Sequence, residues 1–388
     1  NPEQLFVAQV LINKVKSKRC GIKVNHNFAP SKKVMAYKMY TGQQRILIVR
    51  FRQMGDTILA TCLFSTLRKT FPDATIDLIL NERIAPLFQG HPALSNIITF
   101  SEKECHAPLV YLRKIWHIMR RGHYTIVIDM RSTINTLPFA LFSGARFRLG
   151  TKKWYNKWIH NYRYQGRRES MIDHNLHLID PLNAIRPLQY VRTISLSITE
   201  EEKTVFRQYL LNKGIDFSRP VVVVGVTAKC EDKRWPEDKM AALIDLFVGR
   251  YPRAQVIFNY APGEEERLAR NIFARLSSRQ SVRLDIQARS SRELLAMATF
   301  TNFYFGNEGG ARHIMHAAGV PSFVICAPNC EKTVWLPKDG TPTDGIEAAD
   351  VVTREQINTM SRAQQYAVIS VEETWKRMDA FINFHLSL

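Results

Sequence analysis

The chain has 388 residues, too many for one ordinary hydrophobic core, and this length predicts about two domains. Hydrophobic residues make up 45% and charged residues 23%, the balance of a soluble globular protein, and no apolar run is long enough to suggest a membrane span. A formal net charge of +19 predicts an anionic partner: nucleic acid, anionic lipid or a phosphorylated substrate.

The six cysteines, Cys20, Cys62, Cys105, Cys230, Cys326 and Cys330, are scattered and form no CxxC pair. They read as free thiols of a cytoplasmic protein rather than a disulfide framework, and no zinc site is completed around them. No secretory leader is expected.

Residues 1–40 form a basic extension. Leu5, Phe6, Val7, Val10, Leu11 and Val15 can line one face of a short helix, followed by Lys14, Lys16, Lys18, Arg19 and Lys23. Such a helix either lies on an anionic membrane surface or packs on the protein body.

From Arg45 the pattern alternates between strand and helix. RILIVRF (45–51) is a continuous apolar run, as expected of a parallel strand buried on both faces. Ile58, Leu59, Cys62, Leu63 and Leu67 follow at helical spacing. IDLIL (76–80), IITF (97–100) and TIVIDM (125–130) predict further strands, with a helix over 108–121 between the last two. A second series comprises VVVVGV (221–226), QVIFNY (255–260), NFYFGN (302–307) and SFVICA (322–327). Capping boxes are expected at Thr199 with Glu202 and at Ser290 with Glu293, and Ser370 with Glu373 opens a last helix.

The alternation predicts an α/β protein of two Rossmann-like, doubly wound domains facing across a cleft. The expected divisions are the extension 1–40, an N-terminal acceptor domain 41–190, a connecting region 191–219, a C-terminal nucleotide-sugar domain 220–370, and a helix 371–388 that can pack back on the N-terminal domain. Ligands of such sheets bind beyond the carboxyl ends of the strands.

Three turns occupy those positions. After the first strand comes Arg52-Gln53-Met54-Gly55-Asp56, where Asp56 is either a helix N-cap or a general base. Neither GxGxxG nor GxxxxGK[ST] occurs. The turn 227–236 carries Lys229, Lys233 and Arg234 after Thr227, and reads either as a diphosphate cradle or as a solvated basic loop. The third is Gly306-Asn307-Glu308-Gly309-Gly310-Ala311-Arg312-His313, whose paired glycines at a helix start expose amides suited to a phosphate. A fourth feature, residues 146–168, interleaves Arg146, Arg148, Lys152, Lys153, Lys157, Arg163, Arg167 and Arg168 with six aromatic residues and no acidic one. It reads as a loop that grips nucleic acid or a phosphorylated sugar-lipid.

The turns and their flanks, ILIVRFRQMGDTILATCLFSTLRKTFPDATIDLI, YTIVIDMRSTINTLPFALFSGARFRLG, DKRWPEDK, APGEEE and GNEGGARHIMHAAGVP, resemble in order and spacing the heptosyltransferases of lipopolysaccharide synthesis, glycosyltransferase family nine. The resemblance covers about residues 45–335. It implies the GT-B fold and inverting transfer without a metal or other cofactor. The co-substrate implied is a nucleotide sugar, ADP-heptose, and the acceptor an anionic lipopolysaccharide core or other lipid-linked saccharide. The catalytic aspartate falls on Asp56, the phosphate-binding lysine on Lys233, the first glutamate of the nucleoside-binding stretch on Glu264, and the donor-loop residues on Glu308, Gly310 and His313. Candidate donor contacts are therefore Thr227, Lys229, Lys233, Glu264, Arg289, Glu308, Gly309, Gly310 and His313. Candidate acceptor contacts are Arg52, Arg131, Arg146, Arg148, Lys152 and Lys153.

One departure is that Glu308-Gly309-Gly310 stands where the family has an aspartate, a hydroxyl residue and a glycine, which leaves the donor sugar open. Ala228 and Lys229 replace hydroxyl residues ahead of Lys233. A cytoplasmic location is expected, with peripheral contact on the inner membrane left open. A different nucleotide-sugar donor is the alternative. A nucleic-acid-binding role is the remote one, and no nucleic-acid partner is expected because no RRM, KH or zinc-finger signature occurs.

Overall fold

The computed structural model describes residues 43–51, 53–328 and 330–386. The extension 1–40 and Arg52 lie outside these. The first sheet contains β1 (Arg45–Val49), β2 (Thr75–Asn81), β3 (Asn96–Phe100), β4 (Ile126–Asp129), β5 (Phe147–Thr151) and β6 (Tyr162–Tyr164), in the order β3-β2-β1-β4-β5-β6. The second contains β7 (Val221–Gly225), β8 (Gln255–Asn259), β9 (Val282–Arg283), β10 (Phe303–Asn307), β11 (Ser322–Ile325) and β12 (Thr343–Ile346), in the order β12-β11-β10-β7-β8-β9. Every pairing is parallel. This is the expected fold of two doubly wound halves. Ile46–Val49 and Val221–Val224 are fully buried because helices cover both faces of each sheet.

The region 146–168 is not one loop. Arg148 interrupts its apolar pattern, yet 147–151 and 162–164 are both strands. Arg148 is accommodated because Nε donates to Ile159 O at 2.7 Å and Nη1 to Ala145 O at 2.6 Å. Several of its aromatics are packing groups, as in the Phe147–Tyr162 stack at 5.3 Å.

The connection between the halves divides in two. Residues 188–195 lie along helix Thr61–Thr70, where Thr66 Oγ1 and Thr70 Oγ1 accept from Val191 N and Gln189 N. Helix Glu200–Asn212 opens with the expected box, Thr199 and Glu202 each accepting from the other's amide. Ser290 and Ser370 also cap their helices, but the glutamate three residues on turns elsewhere, Glu293 to Arg289 N and Glu373 to Arg377 Nε.

Glu202 also binds Arg292, which stands in the first turn of helix Ser291–Ala298. Arg292 Nη1 reaches the carbonyls of Pro86 (3.3 Å) and Gln89 (3.1 Å) in the first half and of Ser197 (3.0 Å) in the connection. The guanidinium holds the Glu202 carboxyl down to about 2. Around this point the largest apolar cluster is continuous, running from Ile46 and Ile58 through Ile194 to Met297 and Met315.

Helix Val371–His385 packs on the second half, not back on the first as expected. Phe381 sits 6.1 Å from Phe303 and 6.2 Å from Phe323, and Asp379 accepts from Tyr251 Oη at 2.7 Å. Met378, Phe381 and Ile382 are buried there, at roughly 1.5–3 kcal/mol each. The second sheet offers an aromatic surface complementary to that stripe.

His91, just past the helical turn Glu82–Phe88, is buried edge-on against Phe64, and its Nδ1 accepts from Ala93 N at 3.2 Å. Burial lowers its pKa to about 4. Below the ordinary value of 6.5 the unfolded chain takes up a proton that the native imidazole refuses, so this contribution falls as pH drops from 6.5 towards 4. Melting scans between pH 7 and 4.5 should therefore show a steeper loss in the wild type than in His91→Asn; parallel curves would count against the assignment.

Candidate functional site

The second half gathers a polar cluster where β7 and β10 end. Gly306 has φ 129°, and a Cβ there would lie 2.5 Å from Gly225 O, so the two strand ends approach closer than a side chain permits. Asn307 then organises the turn 226–235. Its Nδ2 donates to Gly225 O (3.1 Å) and Val226 O (3.0 Å), and its Oδ1 accepts from Trp235 N (2.8 Å).

Lys233 Nζ is thereby brought to Glu308 Oε2 at 2.6 Å. Burial works against the ammonium, but the bond and charge of Glu308 outweigh it and hold the pKa above its ordinary value. Glu308 Oε1 is 4.0 Å from His313 Nε2. Gly309, with extended backbone, precedes helix Gly310–Ala317 and has open space where a Cβ would stand.

His313 is fully enclosed. Burial, then the charge of the adjacent Arg312, pushes its pKa well below the ordinary value, so the ring is neutral. Nε2 lies 3.1 Å from Arg312 Nη2, which can only donate. Nε2 is therefore the acceptor and Nδ1 carries the proton, and Nδ1 has no hydrogen-bond partner among the described residues. Arg312 is itself wholly buried, its pKa lowered by that burial, with Nη2 also reaching Trp335 O at 3.2 Å.

In the first half, Asp56 is not the N-cap of its helix. Met54–Ile58 starts after Gln53, which leaves Asp56 in the first turn. Its side chain is 13% exposed, and Oδ1 lies 3.7 Å from Arg50 Nη2. Arg50 is buried and also binds Asp56 O (2.8 Å) and Met130 O (3.1 Å), tying the aspartate to the ends of β1 and β4. Asp129 fixes the next loop, accepting from Ser132 N (2.7 Å), Arg131 N (3.1 Å) and Thr136 Oγ1 (2.8 Å). Arg131 Nη1 donates to Phe51 O, so this arginine stands beside the Asp56 turn.

The two halves meet here. A Cβ on Gly55 would lie 2.4 Å from His313 Cδ2 and 2.7 Å from its Nε2, and one on Gly310 would lie 3.5 Å from Met54 Sδ. The residue before Asp56 thus packs directly on the imidazole of the other half. Glu308, His313 and Lys233 form one cluster, and Asp56 follows directly on the glycine that packs against it.

Other candidate residues lie apart from it. Arg146 and Arg148 stand at the amino end of β5, across the sheet from Asp56, and Arg148 is committed to backbone carbonyls. Lys152 and Lys153 follow its carboxyl end, with Lys152 Nζ at 3.1 Å from Gln165 Oε1. Lys229 is exposed. Arg289 borders a pocket with Tyr209, Gln287 and Arg292, and Gln287 Nε2 donates to Tyr260 Oη at 2.6 Å, beside the 261–265 turn.

Glu264 pairs with Arg267 at 2.7 Å and lies 4.0 Å from Arg234 of the 227–236 turn. Glu265, which the sequence reading did not single out, is the glutamate that meets Thr227, accepting from Oγ1 at 2.9 Å. Three consecutive glutamates open one helix, and only the fold decides which of them bonds to Thr227. Asn307 was missed for a similar reason: its bonds go to Gly225, Val226 and Trp235, 72 to 82 positions away in the chain. The described cysteines are all free, and the described residues contain no group of three or more His, Cys, Asp or Glu placed for a metal ion. No described helix is long and apolar enough to cross a membrane.

Residues 112–328 match the sequence pattern of glycosyltransferase family 9 (heptosyltransferase). Lipopolysaccharide heptosyltransferase 1 of Campylobacter coli is 20% identical over 290 residues, covering 72% of this chain and 83% of its own. Lipopolysaccharide heptosyltransferase 3 of Escherichia coli is 21% identical over 276 residues, covering 69% and 78%. A crystal structure of a family 9 glycosyl transferase from Veillonella parvula DSM 2008 aligns with a TM-score of 0.73 at 18% identity, covering 88% of this chain and 97% of that one. The E. coli ADP-heptose lps heptosyltransferase II aligns with a TM-score of 0.68 at 17% identity, covering 88% and 99%. At these identities the structures show a shared fold.

Gly55→Ala should reduce turnover, because the new methyl forces the His313 ring from its place, a displacement that costs about 1–3 kcal/mol in a packed site. Steady-state rates and a melting curve check it; wild-type turnover with an unchanged melting point would mean the contact is irrelevant to the chemistry.

Proposed function

The chain belongs to glycosyltransferase family 9, the heptosyltransferases, and from that premise we propose that it moves heptose from ADP-heptose to a phosphorylated or otherwise anionic acceptor of the lipopolysaccharide inner core, with inversion at the transferred carbon. One observation supports this above others: Gly55 packs on His313, so the turn that carries Asp56 lies against the half that holds Lys233, Glu308 and His313.

In this reading Asp56 takes the proton of the attacking acceptor hydroxyl. A single displacement breaks the bond from the sugar to the diphosphate, and ADP leaves with its negative charge. Lys233, the start of helix Gly310–Ala317 at Gly309 and Gly310, and the Nδ1–H of His313 stabilise that charge. A neutral His313 acts as a hydrogen-bond donor, leaving Lys233 as the local cation of the seat.

Glu308 holds Lys233, so an arriving diphosphate competes with a carboxylate for that ammonium. His313 is 3% exposed, so the Met54–Gly55 turn must withdraw from the 309–313 turn to admit the donor and then close again, excluding water. In the same reading Arg131, beside the Asp56 turn, and Lys152 and Lys153, past the carboxyl end of β5, meet the anionic acceptor. Glu308-Gly309-Gly310 favours weighing another nucleotide sugar as donor, and transfer assays across ADP- and UDP-linked sugars separate the two readings.

Asp56→Asn should retain the fold and donor affinity but lose about 10²–10⁴-fold in turnover; full activity would remove Asp56 from the mechanism. Lys233→Ala should weaken ADP-heptose binding by roughly 1.5–3 kcal/mol, the range for a hydrogen bond to a charged group. Titration calorimetry reads this directly, and equal affinities would contradict the diphosphate role.

A further inference from the structure

The first half exposes large apolar side chains in two places. Helix Pro108–Gly122 begins with Leu109 and Val110, 81% and 51% exposed, and carries Trp116, 47% exposed, further along. The segment after β5 carries Trp154 and Trp158, 91% and 66% exposed. Single exposed apolar residues are ordinary, but a cluster of large ones marks a contact surface.

The two places are neighbours. Tyr111 Oη donates to Asn135 O at 2.9 Å and Tyr155 Oη to Ser132 O at 3.0 Å, so helix and segment flank the same short loop after β4. Both tyrosines, with Ile115 and Ile159, pack on one apolar cluster that also holds Phe51. The patch therefore borders the carboxyl edge of the sheet that carries Asp56.

Its charge is one-sided. Residues 105–168 include thirteen lysines and arginines and a single acidic residue, Asp129, which is fully buried. Upstream, Glu104 is tied to Lys114 at 2.7 Å. Lys152, Lys153 and Lys157 stand among the tryptophans, with Lys157 Nζ 5.2 Å from the Trp158 ring centre.

The geometry points to this patch as a docking face for an anionic lipid bilayer. Tryptophan and leucine enter the headgroup boundary while lysine and arginine stay with the phosphates. A soluble sugar phosphate satisfies the cations but buries none of Leu109, Val110 or Trp154. An acidic bilayer satisfies both, and it presents a lipid-borne acceptor at the edge where Asp56 stands. The inference rests on the proposed lipid-linked acceptor and adds the surface on which the enzyme meets it.

The test uses the full chain and co-sedimentation with phosphatidylcholine vesicles, with and without phosphatidylglycerol. Binding should require phosphatidylglycerol and weaken as salt rises. The triple variant Leu109→Ser, Val110→Ser, Trp154→Ser should bind about tenfold or more weakly. Its melting point and its affinity for ADP-heptose should match the wild type, since all three side chains are exposed and belong to the first half, whereas Lys233 belongs to the second. Absence of wild-type binding overturns the proposal. So does undiminished binding by the variant, which assigns the contact to residues 1–42 or to charge alone. Release by inorganic phosphate at matched ionic strength also overturns it in favour of a soluble phosphate ligand. Donor affinity is read separately, so failure here leaves the roles of Asp56 and Lys233 standing or falling on their own measurements.

Discussion

Two helix starts from opposite halves of the chain meet at a point where only a hydrogen atom fits as a side chain. Gly55 and His313 are 258 positions apart, yet the ring of one fills the space where the other would carry a methyl. Everything chemically interesting sits within a residue or two of that contact or bonds to its members. Asp56 is the next residue along, Arg312 sets the proton position on the imidazole, and Glu308 links the imidazole to Lys233. The arrangement is also electrostatically economical. Two buried arginines border the site, Arg50 beside Asp56 and Arg312 beside His313, while the imidazole itself stays neutral.

Much of the architecture is legible in the sequence because parallel strands buried on both faces leave unbroken apolar runs. RILIV, VVVVG and FYFGN need no tertiary information to be recognised. The strands that escape are those whose pattern is broken for a local reason. β5 contains Arg148, tolerated because two carbonyls receive its guanidinium. β6 alternates tyrosine and arginine at the sheet edge, β9 is two residues long, and β12 contains an aspartate and a glycine.

The site divides in the same way. Turn residues were legible because the turns follow recognisable strands and carry glycine or charge. Choices between near-equivalent neighbours were not. Glu264 and Glu265 differ only by a rotation of 100° about a helix axis, which the sequence does not set by itself. Asn307 is informative only once the distant strand it bonds to is in place. The last helix shows the same limit, since its apolar stripe is plain in sequence but the partner surface for that stripe is not.

Arg292 has a mechanical consequence. One guanidinium joins the carboxylate of Glu202 to three backbone carbonyls drawn from the first half and the connecting segment. Separating the halves by sliding breaks all of these bonds together, whereas rotation about this point preserves them. The favoured opening is thus a swing on a fulcrum. Displacement is smallest beside Arg292 and grows with distance from it, so a small angular change there becomes a wider gape at the far rim.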